Sequence, residues 1–343
     1  MVIPYQTKLK IKRAAIGVGI GLAVVVLLLI FWLIWLQRFI VYTDDGVYFD
    51  FNRSTIDMEY DPNPPTEVPD ETVVIRFNDD SGTDENTQAV TNFQGTYLST
   101  SQLIHDMEAV QAAVANFSAG DTVMLDVKSI HGNFYYSSGL SSDYSDSIDQ
   151  AVMDSLIQTL ADKGVYLIAR LPAFRDTAYA TAHTSDGIPT QSGYLWLDDD
   201  KCYWLDPASQ SVLTWLVQIT RELKGLGFDE VVFYDFRFPS GDNIGYDSQV
   251  STDELISKAA QWLADSCNSE PFRVSFEADG TRFPLPTGSS RLYLSNIDAG
   301  QVQETLDKLT ETIPDIATRV AFFTDSRDTR FDAYGVLRPL ELP

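Results

Sequence analysis

With 343 residues, 44% of them hydrophobic, the chain is long enough for one large domain with a sizeable core. Its 24 basic residues against 49 acidic ones leave a formal charge of -25, which argues against a nucleic-acid partner, because phosphates need a basic face to meet. The acidity assigns no ligand of its own, since a charged surface is ordinarily just a solvated one.

Residues 14 to 36 carry no charge and are dominated by Val, Leu, Ile, Trp and Phe. Such a run matches the roughly 20 apolar residues that cross a bilayer, so a single transmembrane helix is expected there. Lys8, Lys10, Lys12 and Arg13 precede it, and only Arg38 follows before Asp44 and Asp45. The positive-inside bias then leaves residues 1–13 in the cytoplasm and everything beyond the span outside the cell membrane. No small-residue cleavage site follows the apolar core, which favours an uncleaved anchor over a signal peptide.

Residues 37–70 read as a membrane-proximal hairpin and a stalk. Ile40 to Phe51 alternates apolar and polar positions around Asp45-Gly46, the pattern of a hairpin. The segment from Asp61 to Asp70 is rich in proline and acid and forms a stiff, solvated spacer. Residues 71–343 follow as one domain, opening with a short strand from Thr72 to Phe77 and a polar loop from Asn78 to Gln88.

From Gly95 onward strand and helix patterns alternate, as in a parallel sheet covered by helices. Strands are expected at 96–99, 122–127, 165–171, 227–239, 272–276, 291–295, 320–324 and 334–337. Helices are expected at 101–117, 148–163, 208–226, 251–267 and 302–312, with a long polar excursion from Arg175 to Asp206. Close to eight strands close a barrel, so the fold class is α/β, a (β/α)8 TIM barrel preceded by the membrane helix and short stalk. An open doubly wound sheet is the alternative, but no Gly-rich phosphate turn follows an early strand.

The stretch Phe233-Tyr234-Asp235-Phe236-Arg237-Phe238-Pro239, led in by Leu226-Gly227-Phe228-Asp229-Glu230, resembles the signature of a bacterial glycoside hydrolase family with a TIM-barrel domain, DUF4015. Leu125-Asp126-Val127-Lys128, the run from Val165 to Arg170 leading into Phe174-Arg175-Asp176, and Trp204-Leu205-Asp206-Pro207 echo the same family in order. The resemblance spans roughly residues 95 to 280. It implies a barrel acting on a polysaccharide or oligosaccharide, with no cofactor. This chain departs from the family in having Ser129-Ile130-His131 after Lys128, where an acid is usual, and in lacking a Trp and a Gln around Phe322-Phe323-Thr324-Asp325.

Glycoside hydrolysis needs two carboxyl groups, one to protonate the leaving oxygen and one to act as nucleophile or to activate water. In a barrel such groups belong at the carboxyl ends of strands. If the strand runs to Phe238-Pro239, strand alternation puts Asp235 and Arg237 on one face, into the barrel mouth. The same parity groups Asp126 with Lys128, and Glu277 with Ser275 and Asp279. Asp235 and Glu277 are therefore the expected catalytic pair. Asp235 is expected to be ionised beside Arg170 and Arg237, and Glu277 to be the proton donor, no cation flanking it. Asp279 rivals Glu277, and Asp235 reads alternatively as a structural acid neutralised by Arg170 or Arg237.

Asp126, Lys128, Arg170, Arg237 and Asp279 are expected around the substrate. Tyr194 and Trp196 offer flat rings on which sugars stack, with packing as the other reading of both. No CxxC or His cluster suggests a metal, His105, His131 and His183 lying far apart; whether Cys202 and Cys267 pair is left open by the sequence. The function expected is that of a membrane-anchored extracytoplasmic glycoside hydrolase. The alternative is a non-catalytic carbohydrate-binding or scaffold protein on the same barrel.

Overall fold

The structure is a computed structural model that describes residues 40–43, 46–49, 93–248, 250–269 and 271–342. The expected membrane helix, the stalk and the strand from Thr72 to Phe77 lie outside the described residues. Among the described residues no helix is long and apolar enough to cross a membrane. The chain divides into two compact units, Met1–Asp80 and Ser81–Pro343.

In the first unit β1 (Ile40–Thr43) pairs antiparallel with β2 (Gly46–Phe49), Thr43 opposite Gly46, which is the hairpin expected around Asp45-Gly46. The second unit is a closed barrel of eight parallel strands in the order β10-β3-β4-β5-β6-β7-β8-β9. These are β3 (Gln94–Leu98), β4 (Thr122–Asp126), β5 (Tyr166–Pro172), β6 (Glu230–Tyr234), β7 (Arg273–Ala278), β8 (Leu292–Ser295), β9 (Val320–Phe323) and β10 (Gly335–Pro339). All eight strands expected from Gly95 onward are present.

Side-chain alternation explains why these segments are strands. Val123, Leu125, Leu167, Ala169, Val231, Phe233, Val274 and Phe276 point outward into the main core, against the helices. The intervening residues Met124, Ile168, Val232, Tyr293, Ala321 and Leu337 fill the barrel's own interior. With both faces buried, each strand reads as a nearly continuous apolar run.

Helices start where a side chain can take the orphan backbone N–H groups. Ser99 forms a capping box with Gln102 at α1 (Thr100–His105). Asp149 caps α3 (Gln150–Asp162), Ser209 caps α5 (Gln210–Gly225) and Ser251 caps α6 (Thr252–Cys267). The single helix expected at 101–117 is two, because Asp106 leaves helical dihedrals and restarts the chain as α2 (Met107–Val114). The excursion from Arg175 holds a further short helix, α4 (Thr177–Ala182), capped by Asp176. The last helices are α7 (Val302–Thr310) and α8 (Ile316–Arg319).

Cys202 and Cys267 are buried thiols that form no disulfide, and burial pushes the Cys267 thiol up to about 11.

Strand β6 is shorter than its sequence suggests. It ends at Tyr234, not at Phe238-Pro239, because Asp235 turns into the left-handed region at φ 50°. Its neighbour β5 ends alongside, Pro172 facing Tyr234 in the register and the Ala173 N–H closing the ladder on the Tyr234 carbonyl at 2.9 Å.

At the amino-terminal end of the barrel interior, Arg291 Nη1 donates to Glu230 Oε2 at 2.6 Å and the Tyr166 hydroxyl donates to the same oxygen at 2.8 Å. Glu230 is wholly buried and Arg291 nearly so. Removing one member of such a pair costs more than the pair contributes, because the other charge stays buried. Glu230→Gln should therefore lower the unfolding free energy by about 3–5 kcal/mol in urea denaturation, and a Glu230→Leu, Arg291→Met double variant should recover most of that loss. A single variant as stable as the parent would contradict this account.

Candidate active site

At the opposite, carboxyl-terminal end, the inward positions of β4, β5 and β7 deliver Asp126, Arg170 and Glu277 to one point. Register puts Asp126 beside Arg170. The Arg170 guanidinium lies between the two acids, Nη1 donating to Asp126 Oδ1 at 2.9 Å and Nε to Glu277 Oε2 at 2.6 Å. A second contact, Nη2 to Glu277 Oε1 at 3.2 Å, makes the Glu277 pair a bidentate fork.

The other oxygen of Asp126, Oδ2, accepts from the Tyr97 hydroxyl at 2.6 Å and from the amide and hydroxyl of Thr100. Burial and the adjacent Asp126 charge push the Tyr97 hydroxyl well above its ordinary range. Burial opposes the charge on Arg170, but Glu277 and Asp126 outweigh it and hold the guanidinium well above its usual value. Tyr234 covers the arginine from above, its ring centre 4.1 Å from the guanidinium carbon.

No cation flanks Glu277 in sequence, but Arg170 is brought to it across the barrel from β5, which removes the ground on which it was expected to be the proton donor. Sequence flanks could not reveal a partner 107 positions away. Both oxygens of Glu277 accept from Arg170, the arrangement of a carboxylate and not of a proton donor.

Asp235 does not meet Arg170. Tyr234 occupies the inward position at the end of β6, and the left-handed turn sends Asp235 to Arg175 at 3.4 Å and Arg237 at 3.5 Å. Strand parity therefore does not place Asp235 and Arg237 in the mouth. Arg175 also pairs with Asp198 and Asp200, each at 2.7 Å. Arg237 is half-exposed and stacks 4.7 Å over the buried Trp204.

Two further expectations change. Lys128 is 2% exposed and donates to Asp176 at 2.7 Å, so it is a buried structural pair and cannot reach a substrate. The chain turns after Asp126, Lys128 bridging back to Phe134, and this removes Lys128 from the mouth. Trp196 is 7% exposed, its ring packed against Gly241 and its N–H donated to the Asp242 carbonyl, so it is no open platform. Tyr194, at 76% exposure, is open to solvent.

Asp279 lies past the end of β7, where Oδ1 accepts from Ser295 Oγ at 2.9 Å and Asn296 Nδ2 at 3.1 Å. No cation pairs with it among the described residues. Glu277 and Asp279 wall the same cleft of about 820 Å³, together with Asn296, Asp298, Phe323 and Asp325. Asp279 also borders a second cleft of about 480 Å³ next to Arg237, and Arg237 borders a third of about 500 Å³ with Arg175 and Asp198. Adjacent clefts that share residues make a groove along the rim. Among the described residues no three His, Cys, Asp or Glu side chains converge as a metal site requires.

The loops after β5 and β6 are stitched together beside this groove. Gln191 N–H donates to the Asn243 carbonyl at 3.0 Å, and Gly245 N–H to the Pro189 carbonyl at 2.8 Å. A side chain at Gly245 would collide with the Thr190 backbone.

Tyr97, Tyr234 and Arg175 belong to this site and were not singled out from sequence. A shorter β6 would have revealed Tyr234 by parity, whereas nothing local marks Tyr97 or Arg175. The left-handed Asp235 generates a direct test. Asp235→Asn, a residue that tolerates this conformation, should keep the parent's stability, whereas Asp235→Ala should lose about 1–2 kcal/mol in chemical denaturation. Equal losses would show that the arginine pairing, and not the backbone, dominates at this position.

The family model described as a putative glycosyl hydrolase domain, DUF4015, matches residues 95–279, which cover β3 to β7 and the rim built on them. No curated protein matches the chain. Among solved structures, a hypothetical protein from Ruminiclostridium thermocellum is 22% identical, with 53% of this chain and 96% of that one covered and a TM-score of 0.45. A cycloisomaltooligosaccharide glucanotransferase from Paenibacillus sp. is 13% identical, with 70% and 39% covered and a TM-score of 0.49. The GH36 alpha-galactosidase AgaA from Geobacillus stearothermophilus is 9% identical, with 71% and 38% covered and a TM-score of 0.46. The chain spans about two fifths of the length of these last two proteins. With the family model matching more than half of its length, this protein belongs to the DUF4015 family of putative glycosyl hydrolase domains.

Proposed function

We propose that the protein is a glycoside hydrolase, anchored by residues 14–36 with its barrel outside the cell, and that it cleaves a polysaccharide lying along the rim groove. The observation that carries this reading is the pair Glu277 and Asp279, two carboxyl groups in unlike surroundings on one cleft. Glu277, forked by Arg170, is suited to stabilise the positive charge that develops on the sugar ring, or to attack it. Asp279 makes no ion pair among the described residues and takes the proton-donor role that the sequence suggested for Glu277. Asp235 stands behind Arg175 and Arg237, so its part is to hold those two side chains toward the groove.

A second reading has its own support. Arg170 fills the space between Asp126 and Glu277, and a protein that binds glycans without cleaving them could keep both acids in that way. Three variants separate the readings. Glu277→Gln should cost at least two orders of magnitude in turnover on every substrate. Asp279→Asn should spare aryl glycosides, whose leaving groups need little protonation, while impairing natural glycans. Asp235→Asn should cost about tenfold, and a loss of two orders or more would return Asp235 to the reaction itself. Unimpaired turnover in all three would place the catalysis on other residues, and no hydrolysis by the parent with glycan binding intact would establish the binding protein.

The anchoring rests on the charge bias around the apolar run. Protease added to intact cells should release a fragment of nearly the mass of the barrel unit. Protection of that fragment until lysis would reverse the orientation.

A further inference from the structure

A hollow of about 560 Å³ lies on the flank of the barrel, between the loop after β4, α4 and the start of α5. None of the residues that wall the rim groove walls this hollow. Its volume falls within the range typical of small-ligand sites.

The base of the hollow is held rigid. Asp176 accepts from the Tyr179 amide with Oδ1, and from Lys128 Nζ and Trp215 Nε1 with Oδ2. Gly132, at φ 96°, lies so close that a side chain there would collide with Asp176. The buried ion pair of Lys128 and Asp176, which the chemistry at the barrel mouth does not use, thus fixes the floor of a second cavity.

One wall is a stack of three rings. Tyr179 lies between His183, with centroids 4.3 Å apart, and Trp215, with centroids 5.1 Å apart. Along the other runs the exposed strip of α5, where Gln210 and Gln218 offer side-chain amides that make no hydrogen bond within the described residues. No lysine or arginine is among the walls, and of the two carboxylates there, Asp143 and Asp176, the second is neutralised by Lys128. An anionic ligand would find no cation here, and a simple hydrocarbon would leave the amides unused. A neutral ligand with many hydroxyls on one side and C–H faces on another satisfies both walls, and that is the chemistry of a carbohydrate.

We propose that this flank hollow is a second carbohydrate-binding site, specific for neutral sugars, which holds a further part of the glycan away from the cleavage groove. It rests on the reading of the protein as acting on glycans, but not on the assignment of the catalytic carboxylates.

The test is isothermal titration calorimetry on the full chain in detergent, with cellohexaose, chitohexaose and isomaltoheptaose as neutral probes and an oligogalacturonate as the anionic control. The Glu277→Gln background prevents turnover. A Gln210→Ala, Gln218→Ala double variant alters only exposed side chains, and Trp215→Phe keeps a ring while deleting the bond to Asp176. At least one neutral probe should bind the Glu277→Gln protein, and the glutamine variant should weaken that binding by about tenfold or more, a change of about 1.4 kcal/mol. Trp215→Phe should weaken it to a lesser degree, and the oligogalacturonate should show no binding sensitive to these variants. The proposal is overturned if no neutral probe binds at millimolar concentration, if the glutamine variant leaves all neutral binding unchanged, or if only the anionic probe responds. Retained hydrolysis in Glu277→Gln would refute the catalytic assignment and leave the flank result standing.

Discussion

A closed barrel has no edge and almost no water inside, so each inward polar side chain must find its partner among the other inward side chains. This protein meets that constraint by sorting charge to the two ends of the barrel. Glu230, Arg291 and Tyr166 close the amino-terminal end, apolar residues such as Met124, Ile168 and Val232 fill the middle, and Asp126, Arg170 and Glu277 meet at the carboxyl-terminal end. The lower cluster is sealed, Glu230 being fully buried, while Arg170 and Glu277 keep some exposure at the mouth. The same solution to one packing problem thus gives a structural plug below and a polar, partly open site above.

The cost of the upper arrangement is that one arginine must serve two acids. Asp126 is over-determined, with Tyr97 and Thr100 on one oxygen and Arg170 on the other. It cannot move without breaking several bonds, so Arg170 is held from that side and presents a fixed fork to Glu277. Tyr234 covers the fork. An acid at the inward end of β6 would have given the mouth a third carboxylate, and the tyrosine there leaves Asp126 and Glu277 as the two acids that meet Arg170.

Much of the fold was legible because strand alternation and helix capping are local. Thr122–Asp126 and Tyr166–Pro172 declare themselves by apolar runs bounded by Gly and Pro, and Ser209, Ser251 and Asp149 mark helix starts by residue type alone. The site was legible only as far as those rules reach. That Asp126, Arg170 and Glu277 share one end follows from strand parity. Which acid Arg170 chooses does not, because three carboxylates lie near the ends of adjoining strands and register across the barrel decides among them. Asp235 was misplaced by a single backbone angle, which no residue pattern encodes, since Asp adopts both extended and left-handed conformations. Lys128 shares the parity of Asp126 but lies two residues on, where the strand has given way to a loop and alternation no longer applies.

The stitching of the loops after β5 and β6 bears on how this barrel can change. Rim loops of such barrels ordinarily diversify one at a time, which lets a single scaffold acquire new specificities in small steps. Here Gln191 and Asn243, and Gly245 and Pro189, tie two of them through main-chain bonds that do not depend on which side chains stand there, proline at a donor position excepted. A graft, insertion or deletion in either loop would shift the other, so the pair has to be redesigned as a single cassette, whereas the loops on the β7 to β10 side of the mouth are free of this tie.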